Sequence, residues 1–144
     1  MSVRSPLQPK QYALKYLSLE ENPTFRKTSK DVKMLVSFPV RPRLFQRPRS
    51  RDFLLRLEIR VNESAKAFKL APYRATLRLD TYFEVDPGLA PDKMKQMLWY
   101  NGLSIAYGIA RGIIGQATAQ GSHAKFVLPA VNFVEILKHR KVKK

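Results

Sequence analysis

The sequence predicts an α+β fold, a four-stranded antiparallel sheet followed by one long and one short helix. Two segments, 52–61 and 73–85, alternate apolar and polar residues with period two, as antiparallel strands with one covered face do. A third segment, between Pro91 and Gly121, has helical periodicity. The 144 residues suit one domain with a buried core. We expect a flexible arm at 1–10, a domain at 11–140 and a basic tail at 141–144.

The first half of the chain supplies the other two strands. Residues 11–20 predict a strand with two partly apolar faces, and Asn-Pro opens a loop over 22–31. Residues 31–38 alternate again and predict the second strand. The arginine-proline segment 41–51 cannot hold a central strand, because proline lacks a backbone donor.

The long helix begins at Pro91, a favourable first residue, and Gly121 suits the position just past its end. One side carries bulkier groups: Trp99, Ala106, Ile109, Ala110, Ile113 and Ala117. The other side carries small or polar groups: Asn101, Ser104, Gly108, Gly112, Gly115 and Ala119. Glycine inside a helix costs about 1 kcal/mol relative to alanine, so close packing of this side against another element is expected. Another subunit and the protein's own sheet are both candidates. A short helix follows, with Asn132 as N-cap and Glu135 at the capping-box spacing.

Charge is the strongest compositional signal. The chain has 27 Lys and Arg against 11 Asp and Glu, a net charge of +16. So basic a protein attracts anions: nucleic acid, an acidic protein or an anionic membrane surface. The absence of cysteine excludes disulfides, Cys-ligated zinc and thiol catalysis. The sequence has no apolar stretch long enough to span a membrane and no signal-peptide core at its start, so we expect a cytoplasmic protein.

Catalytic groups are scarce. His123 and His139 are the two histidines, one in a loop and one near a charged end, and both are interpreted as surface residues. The helix glycines do not lie between a strand and a helix start, so they match no nucleotide fingerprint. The sequence therefore predicts no enzyme, no metal and no cofactor.

Three features are candidates for binding. The first is an arginine segment containing Phe45, either an anion or partner site or a solvated loop: Arg41, Arg43, Arg47, Arg49 and Arg51. The second is an arginine row on the wetter sheet face, interpreted as ordinary solvent face because only Tyr82 offers a ring there: Arg56, Arg60, Arg74 and Arg78. The third is apolar material in loops, either core closure or a binding surface: Leu19, Pro23, Phe25, Phe126, Val127 and Leu128.

The order of elements resembles the SecB family of export chaperones. The resemblance is most specific from Tyr82 to Leu137, where TYFEV is similar to the family's last strand. The stretch NGLSIAYGIARGIIGQATAQGSHAKFVLPAVNF is similar to its long helix, loop and Pro-x-Asn-Phe-type signature. The positions that align are Ala110, Arg111, Thr118, Leu128, Pro129, Val131, Asn132 and Phe133. The start, YALKYLSLEENPTF, is similar to the family's opening strand and crossover loop.

The resemblance implies a holdase that binds unfolded polypeptides, for protein export or for a dedicated client such as an antitoxin. It implies a homotetramer, a dimer of dimers, with the long helices layered between two sheets. The small side of the helix (Asn101, Ser104, Gly108, Gly112, Gly115) would then face another subunit and the bulky side its own sheet. Client grooves in the family are lined by the crossover loop and the region around the second helix. Leu19, Pro23, Phe25, Phe126, Val127 and Leu128 are therefore the predicted client-binding residues.

One departure concerns the translocation motor SecA. Well-known members dock on SecA through acidic sheet residues, whereas the corresponding strand here carries Arg74, Thr76 and Arg78. This difference argues against SecA as a partner. The sequence leaves open whether the chain is a general export chaperone or a specialist for a toxin–antitoxin system or a phage. A basic nucleic-acid-binding protein is the alternative function.

Overall fold

In the computed structural model, the chain is described over residues 4–25, 35–38, 41–123 and 125–135. The strands are β1 (Leu7–Glu21), β2 (Val36–Ser37), β3 (Arg43–Gln46), β4 (Asp52–Val61) and β5 (Tyr73–Val85). The helices are α1 (Ala65–Lys69), α2 (Pro91–Met97), a π-helical segment (Leu98–Gly102) and α3 (Leu103–Thr118). Residues 133–135 are also helical. No helix within these ranges is long and apolar enough to cross a membrane.

The sheet is antiparallel with the order β1-β5-β4-β2, and β3 also pairs with β4. β3 pairs with residues 53–56 and β2 with residues 60–61, so the two short strands share one edge of β4. The predicted α+β class and antiparallel sheet are therefore confirmed, but the sheet has five strands in place of the predicted four, because β2 and β3 both pair with β4. β3 lies within the arginine-proline segment, where no strand was predicted; an edge position between Pro42 and Pro48 tolerates it. Of the second predicted strand, residues 31–34 lie outside the described ranges.

The core lies between one face of the sheet and the long helix. The fully buried side chains include Leu55, Leu57 and Ile59 of β4, Leu77, Leu79 and Phe83 of β5, and Leu98, Leu103 and Ile114 of the helix. Both strands bury every second residue, as the period-two pattern predicts. The alternation in the sequence thus identifies the covered face correctly.

The long helix faces the sheet through a different stripe from the one predicted. Of the predicted bulky side only Ala106 and Ala110 are fully buried, while Trp99, Ile109 and Ile113 are partly exposed. The buried residues of α3 are Leu103, Ala106, Tyr107, Ala110, Ile114, Gly115 and Thr118. The π-helical segment interrupts the 100° step between Trp99 and α3, so Trp99 does not continue the stripe of α3. Tyr107 can belong to the buried stripe because its hydroxyl donates to Pro129 O at 2.6 Å.

The first strand begins earlier than predicted. Leu7 is 2% exposed and pairs with Val85, so residues 7–10 belong to the sheet and not to a flexible arm. Residues 1–3 and the predicted basic tail at 141–144 lie outside the described ranges.

Gly121 follows the helix for a reason other than a left-handed cap. No glycine has a positive φ, and α3 is capped by Ala119. A Cβ at Gly121 would clash with the Tyr73 hydroxyl and lie 3.1 Å from two ring carbons of Tyr73. The close approach of the chain to this buried ring explains the glycine.

Candidate functional site

A chain of aromatic rings joins the segment after β1 to the loop after α3. The Phe25 ring packs edge-on against His123, with 5.4 Å between centroids. His123 packs in the same way on Tyr73 at 5.6 Å, and Tyr73 on Phe126 at 5.9 Å. The structure thus brings together the two loop segments in which the client-binding residues were predicted.

His123 fixes this junction, although the sequence predicted a surface histidine. Its side chain is 20% exposed, and Nε2 lies 2.9 Å from the carbonyl oxygen of Asn22. Its backbone N–H donates to the Tyr73 hydroxyl at 3.1 Å. The preceding residue, Ser122, donates its backbone N–H to Glu21 Oε1 at 2.6 Å, which connects the same loop to the end of β1. His123 is therefore a structural residue between two loops.

Asn22 ends β1 and turns the chain into that junction. Its side-chain amide donates to the carbonyl oxygens of Phe68 and Ala71, and its Oδ1 accepts from the backbone and hydroxyl of Thr24. Asparagine is suited to such a turn because its short amide can bond to nearby backbone. The predicted Asn-Pro loop opening is confirmed.

The six predicted client-binding residues differ in exposure. Phe126 and Leu128 are 5% and 1% exposed, so they close the core, and the prediction of an exposed groove is wrong for both. Val127 is 55% exposed. In an extended segment successive side chains point to opposite sides, which places Val127 outward between two core residues. Pro23 is exposed, and Leu19 and Phe25 are half-buried.

The segment that follows is held against α3 by two side chains. Tyr107 donates to Pro129 O at 2.6 Å, and Arg111 Nε donates to Leu128 O at 2.9 Å. Burial raises the pKa of Tyr107, which keeps its phenol protonated as a donor. Phe133 packs on the Tyr107 ring at 5.5 Å. The sequence singled out Arg111 only through the family resemblance and did not single out Tyr107. Neither residue has a local sequence signal for a hydrogen bond to a distant carbonyl oxygen.

The predicted N-cap of the last helix is confirmed. Asn132 Oδ1 accepts a hydrogen bond from the Glu135 backbone N–H at 3.3 Å. Ile136, the predicted staple partner of Val131, lies outside the described ranges.

A cleft of about 480 Å³ opens between the long helix and this segment. Tyr100, Asn101 and Ser104 form its helix wall, and residues 130–134 form the other wall. Asn101 and Ser104 are exposed, and Val134 is 41% exposed. The cleft offers mixed apolar and polar surface to a partner.

The small side of the helix is open. Among the described residues, no atom outside the neighbouring turns of the helix lies within 4 Å of a Cβ placed at Gly108 or Gly112, so close approach to the protein's own sheet does not explain these two glycines. Gly115 differs: it is buried, and a Cβ there would lie 3.1 Å from Lys125 Cε. Gly115 is thus covered by the chain's own lysine and does not share the open stripe.

The outer edge of β1 is also open. β1 is the last strand of the sheet, 15 residues long, and within the described ranges its outer edge has no strand partner. Tyr12 and Leu14 lie opposite Thr81 and Leu79, on the helix side of the sheet, and are 52% and 43% exposed. An unpaired edge beside apolar side chains is a template for another extended chain.

The four sheet arginines Arg56, Arg60, Arg74 and Arg78 are each paired with a carboxylate. Arg56 donates to both oxygens of Asp80 at 2.9 and 3.1 Å, and this hydrogen bonding raises the pKa of Arg56. Arg78 lies 3.0 Å from Glu58, and Arg74 pairs with Glu20. Arg60 contacts Glu58 and Glu63.

The arginine segment is divided among three places. Arg41 lines a cavity of about 430 Å³ beside Trp99. Arg51 is structural, because it donates to the carbonyl oxygens of Asp86 and Leu89, and it is not available as an anion site. Arg43, Arg47 and Arg49 are exposed on and after β3. Among the described residues, no cluster of His, Asp and Glu could hold a metal ion.

Comparison with solved structures identifies the fold. No family model matches the chain, and no curated protein matches its sequence. A solved structure does: the SecB-like chaperone Rv1957 of Mycobacterium tuberculosis, in complex with a ChAD peptide from the HigA1 antitoxin Rv1956. The TM-score is 0.60 at 12% identity, over 87% of this chain and 90% of that one. The chain therefore has a SecB-like fold.

Proposed function

We propose that the chain is a SecB-like holdase, which binds unfolded or extended polypeptides without enzymatic chemistry. The observation that carries the proposal is the open edge of β1 beside the exposed side chains of Tyr12 and Leu14. An extended client can pair its backbone with such an edge and place its side chains on the apolar surface beside it. Binding of the unfolded state delays folding by mass action alone.

Further apolar surface extends the contact. Val127 and Pro23 are exposed near the aromatic junction. Several weak contacts along one long client add up to useful avidity. These surfaces replace the single groove that the sequence predicted, since Phe126 and Leu128 are buried.

A dedicated client is favoured over general export. The structure with the same fold holds an antitoxin peptide. Strand β5 of this chain carries Arg74, Thr76 and Arg78 where SecA-docking members of the family carry acidic residues, which argues against SecA as a partner. A specialist chaperone in the cytoplasm fits both points.

Assembly is part of the proposal. The open small side of the helix at Asn101, Ser104, Gly108 and Gly112 permits close approach of a second backbone. We place this side against another subunit of a homotetramer, a dimer of dimers.

Suppression of aggregation tests the function. A chemically unfolded client is diluted into buffer with the protein, and light scattering is followed. We expect suppression at stoichiometric tetramer that changes little with salt, because apolar contacts are weakly screened. A small basic protein of similar charge is the control. Loss of suppression at physiological salt, or equal suppression by the control, would contradict the proposal.

A further inference from the structure

The outer face of the sheet carries three exposed aromatic rings, two more than the sequence indicated. Tyr82 of β5 was expected there. Phe45 joins it because β3 is a strand, pairing opposite Leu54, and Tyr16 joins it by pairing opposite Arg78. Their exposures are 38%, 41% and 44% for Tyr82, Phe45 and Tyr16. The outer face therefore has the exposed aromatic rings on which unpaired bases stack.

Arginines on this face stack on aromatic rings. The guanidinium of Arg56 lies 5.3 Å from the Phe45 ring centroid, and that of Arg78 lies 4.9 Å from the Tyr16 centroid. The same arginines bond to Asp80 and Glu58, respectively. Stacking and ion pairing hold the side chains in place, so the face is ordered before any ligand arrives.

Phe45 and Tyr82 form the walls of a cleft of about 400 Å³, and Leu54 lies between them. Arg47 and Gln46 also line this cleft. Its carboxylate is Asp52, whose Oδ2 lies 4.0 Å from Arg47. Two exposed rings across an apolar floor suit a flat aromatic group, such as an unpaired base.

β3 and the turn after it supply positive charge beside the cleft. Arg43 of β3 and Arg49 of the turn are exposed, and neither belongs to an ion pair of the described residues. Arg49 has φ 58°, a left-handed conformation in which glycine or asparagine is favoured. An arginine that accepts this backbone cost is a sign of selection for its side chain.

The type of basic residue around the cleft favours phosphate as the ligand. All seven basic residues between positions 41 and 60 are arginine, and none is lysine. The planar guanidinium binds phosphate with two donors and also stacks on bases, which an ammonium group cannot do. An acidic peptide would need the charge but not the ring-walled cleft.

From this juxtaposition we propose that the outer sheet face binds single-stranded nucleic acid. A base stacks in the cleft between Phe45 and Tyr82, while Arg43 and Arg49 contact the phosphates on either side. The site lies on the face opposite the helix, so it is separate from the proposed client-binding surface. A variant can therefore lose nucleic-acid binding and keep client binding, or the reverse.

Fluorescence anisotropy with labelled strands of about 20 nucleotides tests the proposal, a length above the roughly 4 to 16 nucleotides that one such domain covers. Oligo(dT), oligo(U) and a duplex of equal length are compared at about 150 mM salt, the physiological range. We expect both single strands to bind several-fold more tightly than the duplex, because only unpaired bases can stack. A preference between the two single strands distinguishes RNA from DNA as the ligand.

Two kinds of variant separate stacking from charge. Phe45→Leu and Tyr82→Leu keep apolar bulk and should each weaken binding about tenfold, the effect of losing one stacked base. Arg49→Gly should weaken binding and lower the salt slope by about 1, while raising thermal stability because the backbone cost disappears. Loss of affinity together with gain of stability cannot come from misfolding.

Lys66→Gln is the matched control, since α1 follows the opposite end of β4 and the change removes one positive charge there. It should leave affinity nearly unchanged. The proposal is overturned if the duplex binds as tightly as the single strands. It is also overturned if Lys66→Gln and Arg49→Gly weaken binding equally, or if the Leu variants bind normally. Binding of an acidic, aromatic-containing peptide in place of both oligonucleotides would assign the face to a protein partner instead.

Discussion

Phe25 packs edge-on against the imidazole of His123, with 5.4 Å between the ring centroids. Because His123 also contacts Tyr73, this pair connects the segment after β1 to the loop after the long helix. The Phe25 side chain is half-buried, so part of it is accessible to a client. Phe25 therefore both packs on the fold and belongs to the proposed client-binding surface.

We expect Phe25→Ala to weaken client binding several-fold while the protein stays folded. A half-buried ring with one edge contact should cost about 1 kcal/mol of unfolding free energy, against about 3–5 for a core phenylalanine. Aggregation suppression and urea unfolding measure the two effects. Phe45→Ala, a change of the same size on the outer sheet face, is the control and should leave suppression intact. Unfolding of Phe25→Ala by several kcal/mol would assign Phe25 to the core.

Gly112→Leu should shift the assembly from tetramer toward dimer. The position is open within one chain, so leucine fits there without strain, and the circular dichroism spectrum should stay native. Against a second subunit, the same side chain would hold two backbones apart. Sedimentation at micromolar concentration measures the effect. Lys93→Leu, on the exposed surface of α2, is the control. A Gly112→Leu protein that remains tetrameric would exclude this side of the helix as the interface.

Arg111→Met should loosen the segment that follows the core residue Leu128. The change removes a charged hydrogen bond to Leu128 O, worth about 1.5–3 kcal/mol, while keeping the apolar stem. Amide hydrogen exchange should accelerate over residues 128–135 more than in the sheet. Lys93→Met removes the same charge from the helix surface and should leave exchange unchanged. Equal exchange in both variants would mean that Tyr107 alone holds the segment.

Gly121→Ala should destabilise the protein by about 1–3 kcal/mol, the usual cost of overpacking. The added methyl would meet ring carbons of Tyr73 at 3.1 Å, and that ring is buried. Urea unfolding gives the free energy. Gly88→Ala is the matched control, because its methyl would meet Asp86 Oδ1 at an ordinary 3.4 Å. In a Tyr73→Leu background the cost of Gly121→Ala should shrink; an unchanged cost would show that the ring is not the cause.

The sequence by itself determined the features that depend on local periodicity and local hydrogen bonding. The period-two alternation predicted β4 and β5 and their covered face correctly. Pro91 marked the start of the long helix, and Asn132 was recognisable as a helix N-cap. These properties follow from the geometry of one element and its neighbouring residues, so a single segment contains the signal.

Only the tertiary structure decided what depends on contacts between distant segments. Residues 43–46 form a strand because the edge of β4 lies beside them, and this pairing places Phe45 on the outer face. Phe126 and Leu128 are buried and Val127 is exposed because Tyr107 and Arg111 fix the segment that contains Leu128 and Pro129 on the helix. His123 becomes structural through residues 50 and 101 positions away. Hydrophobicity favours burial of every apolar side chain, and only the packed fold determines which of them are buried in the core.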